Sequence, residues 1–200
     1  MSTVTHMKKS RPYTQTARAA STEETRLRIL DAAVELTRER RLATVSLDEI
    51  ATAAGVSVQT ILRQHGSRAG LVEAAAARAR EKIVSTRRAP AGDIAAAVRV
   101  VVDHYEREGR VALLLLAQED EDPLVHEITE AGKRLHRDWV EEVFAPFSPG
   151  EPLVDLLVVA TDVYAWKLLR VDRGLSRKRT EERMTTLVHA LLPESESVVR

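Results

Sequence analysis

Residues 46–67 read SLDEIATAAGVSVQTILRQHGS, from Ser46 to Ser67. The stretch carries helix-start signals three times over. Ser46 is a good N-cap, because its hydroxyl can accept from an orphan backbone N–H of a first helical turn. Glu49 lies three residues on and completes a capping box, while Val45 and Ile50 have the spacing of a hydrophobic staple. The predicted helix runs through Ala51 and Ala54 to Gly55, a residue that enters the left-handed conformation at little steric cost. Ser57 then repeats the cap, with Val56 and Ile61 as a second staple. Ser67 opens a third helix. Two helices of about eight residues joined by a Gly-containing turn form a helix-turn-helix unit.

The second helix of that unit has a predictable outer face. Ile61 turns inward with Val56, so Val58, Gln59, Thr60, Leu62 and Arg63 turn outward to differing degrees. Gln pairs bidentately with adenine and Arg with guanine, and Thr or an apolar side chain meets a thymine methyl. The alternative is a solvated face of an ordinary helical bundle.

Upstream, Ser21 with Glu24 forms another capping-box pattern, predicting a long helix opened there. Its stripe is Ile29, Leu30, Ala33, Leu36 and Thr37, and it gives way near Arg41. It is expected to pack under the two helices that follow. Residues 1–20 hold Lys8, Lys9, Arg11 and Arg18 and no acidic residue. They read as a flexible basic arm, either adding phosphate or minor-groove contacts or serving as a leader with no role.

From Leu71 a fourth helix is predicted to about Arg88, ended by Ala89-Pro90-Ala91-Gly92. Asp93 begins a helix expected to stop near Gly109. Val111–Ala117 reads as a further short buried helix, and Glu119–Asp122 as an acidic loop. After Pro123 comes a helix with Leu124, Ile128, Leu135, Trp139, Val143 and Phe144, broken by Pro146, Pro149, Gly150 and Pro152. Residues 153–171 predict one helix that is apolar on every side, which must be covered on every side. The last helix shows Met184, Leu187, Val188 and Leu191 at helical spacing. The reading is all-α throughout, with no hairpin signal and no repeat.

Composition narrows the function classes. The chain has 200 residues, 44% of them hydrophobic, and no cysteine. A disulfide scaffold and a thiolate metal site are both excluded. No apolar run approaches the roughly 20 residues of a membrane span, and no signal peptide is evident, so a soluble cytoplasmic protein without membrane partners is expected. The zero net charge hides an asymmetry. Residues 1–88 hold 16 Lys and Arg against 9 Asp and Glu, whereas residues 89–200 hold 14 against 21. A basic N-terminal part suits a polyanion.

Chemistry-bearing motifs are absent. His104, His126 and His136 invite a metal reading, but His126 and His136 sit about 80° apart around a helix, so surface or pocket histidines are expected. The acidic loop reads as solvated rather than as a cation site. No GxSxG, phosphate-cradling GxxxxGK[ST] or dinucleotide fingerprint occurs. No catalytic residue, cofactor or metal is therefore expected.

The order and spacing of Arg28-Ile29-Leu30-Asp31-Ala32-Ala33, Ser46-Leu47-Asp48-Glu49-Ile50-Ala51, Ala53-Ala54-Gly55-Val56-Ser57, Thr60-Ile61 and Ser67-Arg68-Ala69-Gly70-Leu71 resemble the TetR-type transcriptional repressors over about residues 22–75. The family pattern usually has Tyr where Leu62 stands and Phe where His65 stands. The resemblance implies DNA contacts from the matching positions, with Thr60 on a base and Arg68 on phosphate. The expected DNA-binding set is Ser46, Ser57, Val58, Gln59, Thr60, Leu62, Arg63 and Arg68.

It also implies a ligand-binding and dimerisation domain behind the head. The expected organisation is an arm at 1–20, a DNA-binding head at 21–68, a helical body at 69–193 and a flexible tail at 194–200. The body is expected to form a homodimer through residues 153–192. Its aromatics line cavities or fill cores, and the expected ligand-lining set is Val102, Tyr105, Leu113, Trp139, Val143, Val163 and Trp166. The protein so implied is a non-enzymatic repressor, released from a palindromic double-stranded DNA operator by a largely apolar small molecule. The alternatives are a small all-α enzyme with a vestigial head and a DNA-binding protein without an effector.

Overall fold

A computed structural model describes residues 12–192. The described chain is all-α: α1 Pro12–Leu36, α2 Leu47–Ala54, α3 Val58–His65, α4 Arg68–Thr86, α5 Ile94–Leu116, α6 Pro123–Phe144, α7 Glu151–Thr161, α8 Val163–Trp166 and α9 Arg177–Leu191. A π-helical turn, Lys167–Asp172, continues α8.

The head is built as its start signals dictate. Ser46 Oγ accepts from Glu49 N, and the Glu49 carboxylate accepts from Ser46 N at 2.9 Å, so both halves of the capping box are present. Gly55 closes α2 at φ 65°, in the left-handed region. Ser57 caps α3 and Ser67 caps α4. Ile29, Leu30, Val45, Ile50, Ile61 and Leu71 meet in one buried core. Gly70 is required by a close approach, since a Cβ there would lie 2.3 Å from the His65 carbonyl oxygen.

Helix α1 corrects one expectation. It begins at Pro12, so Ser21 lies inside it and its carbonyl accepts from Thr25 Oγ1 at 2.9 Å. Nothing between Pro12 and Ser21 breaks a helix, and proline favours a first helical position. The expected arm is thus helical over residues 12–20, and its remainder, like the tail at 194–200, lies outside the described residues. Helix α1 also ends at Leu36, short of Arg41.

In the body, α5 runs unbroken through Gly109. The glycine there is a packing site, because the Trp166 ring lies across it and an added Cβ would fall 2.6 Å from that ring. The predicted helix 153–171 is broken at Asp162, whose backbone is extended and whose carboxylate accepts from Tyr164 N at 2.8 Å. Aspartate competes well as an N-cap, and Thr161 spends its hydroxyl on Leu157 O. The main body core joins α5, α6, α7 and α9 around Val98, Val101, Phe144, Leu157 and Met184.

Head and body meet through polar and apolar contacts. Arg38 pairs with Glu108 at 3.0 Å and donates to Arg107 O. Leu42 N donates to the Gln118 side chain at 3.1 Å. Leu42, Val72 and Val125 form a small cluster of their own between the two parts.

Two helical glycines test this packing with opposite signs. Gly132→Ala meets nothing within 4 Å and is expected to stabilise by about 0.5–1 kcal/mol through helix propensity. Gly109→Ala drives into the Trp166 ring and is expected to destabilise by about 1–3 kcal/mol. Urea unfolding midpoints measure both.

Candidate nucleic-acid interface and the cavity behind it

Helix α3 buries Ile61 completely and presents the opposite face outward. Gln59, Leu62 and Arg63 are exposed, with Ser57, while Val58 and Thr60 are half-buried. Ser57 Oγ and Thr60 Oγ1 lie 3.0 Å apart and share a hydrogen bond, so the cap fixes the Thr60 side chain. Ser46 is exposed at the start of α2.

The charges of the head are mostly committed. Residues 21–68 hold seven basic and seven acidic side chains, so the N-terminal surplus lies on residues 1–20 and on α4. Arg26 pairs with Glu23, Arg40 with Glu49 and Arg41 with Glu121. The Arg40 hydrogen bond, with those from Ser46, lowers the Glu49 carboxyl to about 2. Arg28 donates to Thr25. Among the described residues of this segment, Arg63 is the one arginine with no hydrogen bond or ion pair. It sits on the outer face of α3.

Arg68 stands differently from its expected place on phosphate. Its guanidinium donates to Leu42 O at 2.5 Å and Val45 O at 3.4 Å, and the side chain lines a cavity on the body side. In this arrangement it clamps the backbone between α1 and α2.

Residues 29–75 match the model of the bacterial regulatory proteins of the tetR family. The matched segment runs from α1 into α4 and takes in both helices of the helix-turn-helix unit. Solved structures share the fold of the chain. One is a crystal structure from Streptomyces coelicolor A3(2), described as a transcriptional regulator: 24% identical, TM-score 0.62, covering 82% of this chain and 98% of that one. A TetR-family regulator from Rhodococcus sp. is 17% identical, with a TM-score of 0.65 over 85% of this chain and all of that one. The multidrug binding protein EbrR, complexed with imidazole, is 19% identical, with a TM-score of 0.60 over 86% of this chain and 92% of that one. No curated protein matches the chain.

Behind the head lies a cavity of about 1620 Å³. Its walls come from both parts of this chain, including Leu42, Val72 and Ala75 near the head and Val111, Leu115 and Ile128 in the body. Of the expected ligand-lining set, Tyr105 and Val163 line it. Val102, Leu113, Trp139, Val143 and Trp166 do not, because they pack into or against the main body core.

Polar residues line the cavity as well: His104 and His136, both pocket histidines as the sequence allowed, and Arg87 and Asp162, which sequence reasoning missed. Arg87 is only 6% exposed. It caps the C-terminus of α4, and one terminal nitrogen lies 2.8 Å from His136 Nδ1. An arginine only donates, so Nδ1 accepts and the ring proton sits on Nε2. Nε2–H then faces Thr161 Oγ1 at 3.2 Å, and the Thr161 hydroxyl donates to Leu157 O at 2.7 Å. The Trp139 ring covers the guanidinium at 4.5 Å, and its indole N–H donates to Arg87 O. Burial, then the Arg87 charge, lowers His136 to about 3. Burial, then Arg87 and Arg107, lowers His104 to about 3 as well. Burial raises Tyr105 and keeps its hydroxyl protonated, as a donor to Thr161 O.

These two buried neutral histidines give the body a pH dependence. Their folded values lie below the unfolded value of about 6.5, so the unfolded chain binds more protons between those limits. Stability is therefore lost as pH falls from neutrality toward 3, by about 2 kcal/mol per histidine between pH 7 and pH 5. Urea unfolding across that range is expected to show the loss, and His136→Gln to remove one share of it.

Proposed function

We propose that this chain is a cytoplasmic homodimeric repressor, released from a near-palindromic operator by a small molecule held in the cavity. The observation that carries the reading is that α4 bears the head at one end and ends at Arg87 in the cavity wall at the other. A ligand that rearranges that wall acts on the helix that aims α3.

Dimerisation is supported by an unpartnered apolar face. Leu156, Val159, Tyr164, Leu168, Val171 and Leu187 are exposed on α7, α8, the π turn and α9, with Val159 at 64%. Contiguous apolar surface of this kind marks interfaces. Val159→Glu is expected to raise the dimer dissociation constant by about a hundredfold or more in sedimentation equilibrium. An unchanged dimer would place the interface elsewhere.

On DNA, Gln59, Thr60 and Arg63 supply base-edge contacts, Leu62 packs on a thymine methyl or sugar, and Ser46, Ser57 and Val58 flank them. Arg68 acts by clamping the head rather than by meeting phosphate. The cations of residues 1–20 supply phosphate contacts that the charge-balanced head lacks. Gln59→Ala and Arg63→Ala are each expected to cost about 1–3 kcal/mol on operator DNA and much less on scrambled duplex. Replacing Lys8, Lys9 and Arg11 with Gln is expected to weaken both duplexes alike and to flatten the salt dependence. Titrations at two salt concentrations separate these outcomes, and equal losses on both duplexes for Gln59→Ala would remove α3 from base readout.

The effector mechanism follows from linkage. A ligand that lowers operator affinity must bind the DNA-free form more tightly, typically by about 1–3 kcal/mol, and operator must weaken ligand binding equally.

A further inference from the structure

Arg87 is a buried cation without a counter-ion. Among the described residues no carboxylate lies within ion-pair distance of it. Its Nε is buried with no hydrogen-bond partner. His136 accepts one N–H as a neutral ring, and Trp139 offers a π face; neither carries negative charge. Asp162 acts on Arg87 through space, but its carboxylate is spent on capping α8. Arginine stays protonated in proteins, and a buried unpaired charge is costly. The site is therefore electrostatically incomplete.

We propose that the cavity takes an amphipathic monocarboxylate, with its two oxygens on the Arg87 guanidinium and its apolar body along Val111, Leu115, Ile128 and Val163. The inference rests on the effector-site reading above and narrows it. One guanidinium offers one fork of parallel N–H donors, which matches the two oxygens of a carboxylate. None of the other cations of the wall is as deeply buried as Arg87: Arg68 donates to the Leu42 and Val45 carbonyls, and Arg80 is half-buried. Arg38 pairs with Glu108, Arg78 with Asp31, and Lys133 with Glu119 and Glu130. Arg107 and Lys82 are exposed. A single deep cation suits a single negative charge. The neutral His104 and His136 rings add polarity beside it without competing for the anion. Because Arg87 is the C-cap of α4, an anion seated there bears directly on the helix that carries the head.

The test uses the purified full chain and two probe series: octanoate, decanoate and dodecanoate, and the primary alcohols of the same lengths. Binding is read by calorimetry and by the fluorescence of Trp139, which covers Arg87. Carboxylates are expected to bind at least about tenfold more tightly than their matched alcohols. Arg87→Met is expected to fold, since it removes an unpaired buried charge, and to bring the two series within about twofold of each other. If that variant does not fold, Arg87→Lys decides, because loss of the fork is expected to weaken decanoate by several-fold. Alcohols binding as tightly as carboxylates, binding of neither series, or a preference untouched by the substitution at Arg87 would overturn the proposal. Operator release is measured separately. Release by a neutral apolar compound alone would sink the carboxylate and keep the effector mechanism. Decanoate bound equally tightly with and without operator would do the reverse.

Discussion

Helix α4 belongs to two parts of the molecule at once, and the rest of the structure depends on that constraint. Leu71 and Ala75 are buried in the head core, Val72 joins the cluster shared with α6, and the helix ends at Arg87 among the polar residues of the cavity. Nineteen residues of α-helix make a rod of about 28 Å. Its sequence holds no proline, and its one glycine, Gly70, lies in the first turn where it clears the His65 carbonyl. A displacement at one end is therefore carried to the other without an internal hinge. Arg68 at the first turn strengthens the link, since it ties α4 to the carbonyls of Leu42 and Val45. Leu42 is itself held to the body through Gln118.

Burial arranges the polar groups around the far end of that rod. His136 is neutral because it is buried beside a fixed cation, and neutrality is what lets Nδ1 accept from Arg87. That proton placement orders Thr161, next to the residue that breaks α7 from α8. The cavity end of α4, the middle of α6 and the α7–α8 corner are thus joined by one directional hydrogen-bond chain. The exposed apolar side chains Val159, Tyr164 and Leu168 flank the same corner. Ligand seat, coupling helix and proposed dimer face consequently share one small region.

Much of the head was legible in the sequence because local rules decide it. Ser46, Glu49, Gly55, Ser57 and Ser67 act through their own backbone neighbours, and no tertiary contact overrides them. Ser21 was misread for the opposite reason: a cap signal means little when the residues before it are helix-competent. In the body, the Thr161-Asp162 pair was a cap signal hidden inside a continuous apolar run. Gly109 looked like a terminator, and only the position of the distant Trp166 shows it to be a packing site. Of the expected ligand-lining set, Tyr105 and Val163 line the cavity, whereas Val102, Leu113, Trp139, Val143 and Trp166 pack in or against the core, since large apolar and aromatic residues fill cores more often than they line cavities. Arg87 was invisible for a related reason. An arginine at a helix end beside Arg88 and a Pro-Gly linker carries no local sign of burial, and only packing against Trp139 and His136 buries it.

The central claim, that α4 converts events in the cavity into a change of head position, is open to a distance measurement. The natural chain has no cysteine, so Ala53→Cys on the exposed side of α2 gives one spin label per head. Pulsed electron resonance on the operator complex is expected to give a single narrow distance, set by major grooves about 34–36 Å apart or a multiple of that. Saturating ligand without operator is expected to shift that distance to a distinct value. An identical distribution in both states, under conditions where the ligand releases the operator, would contradict the account.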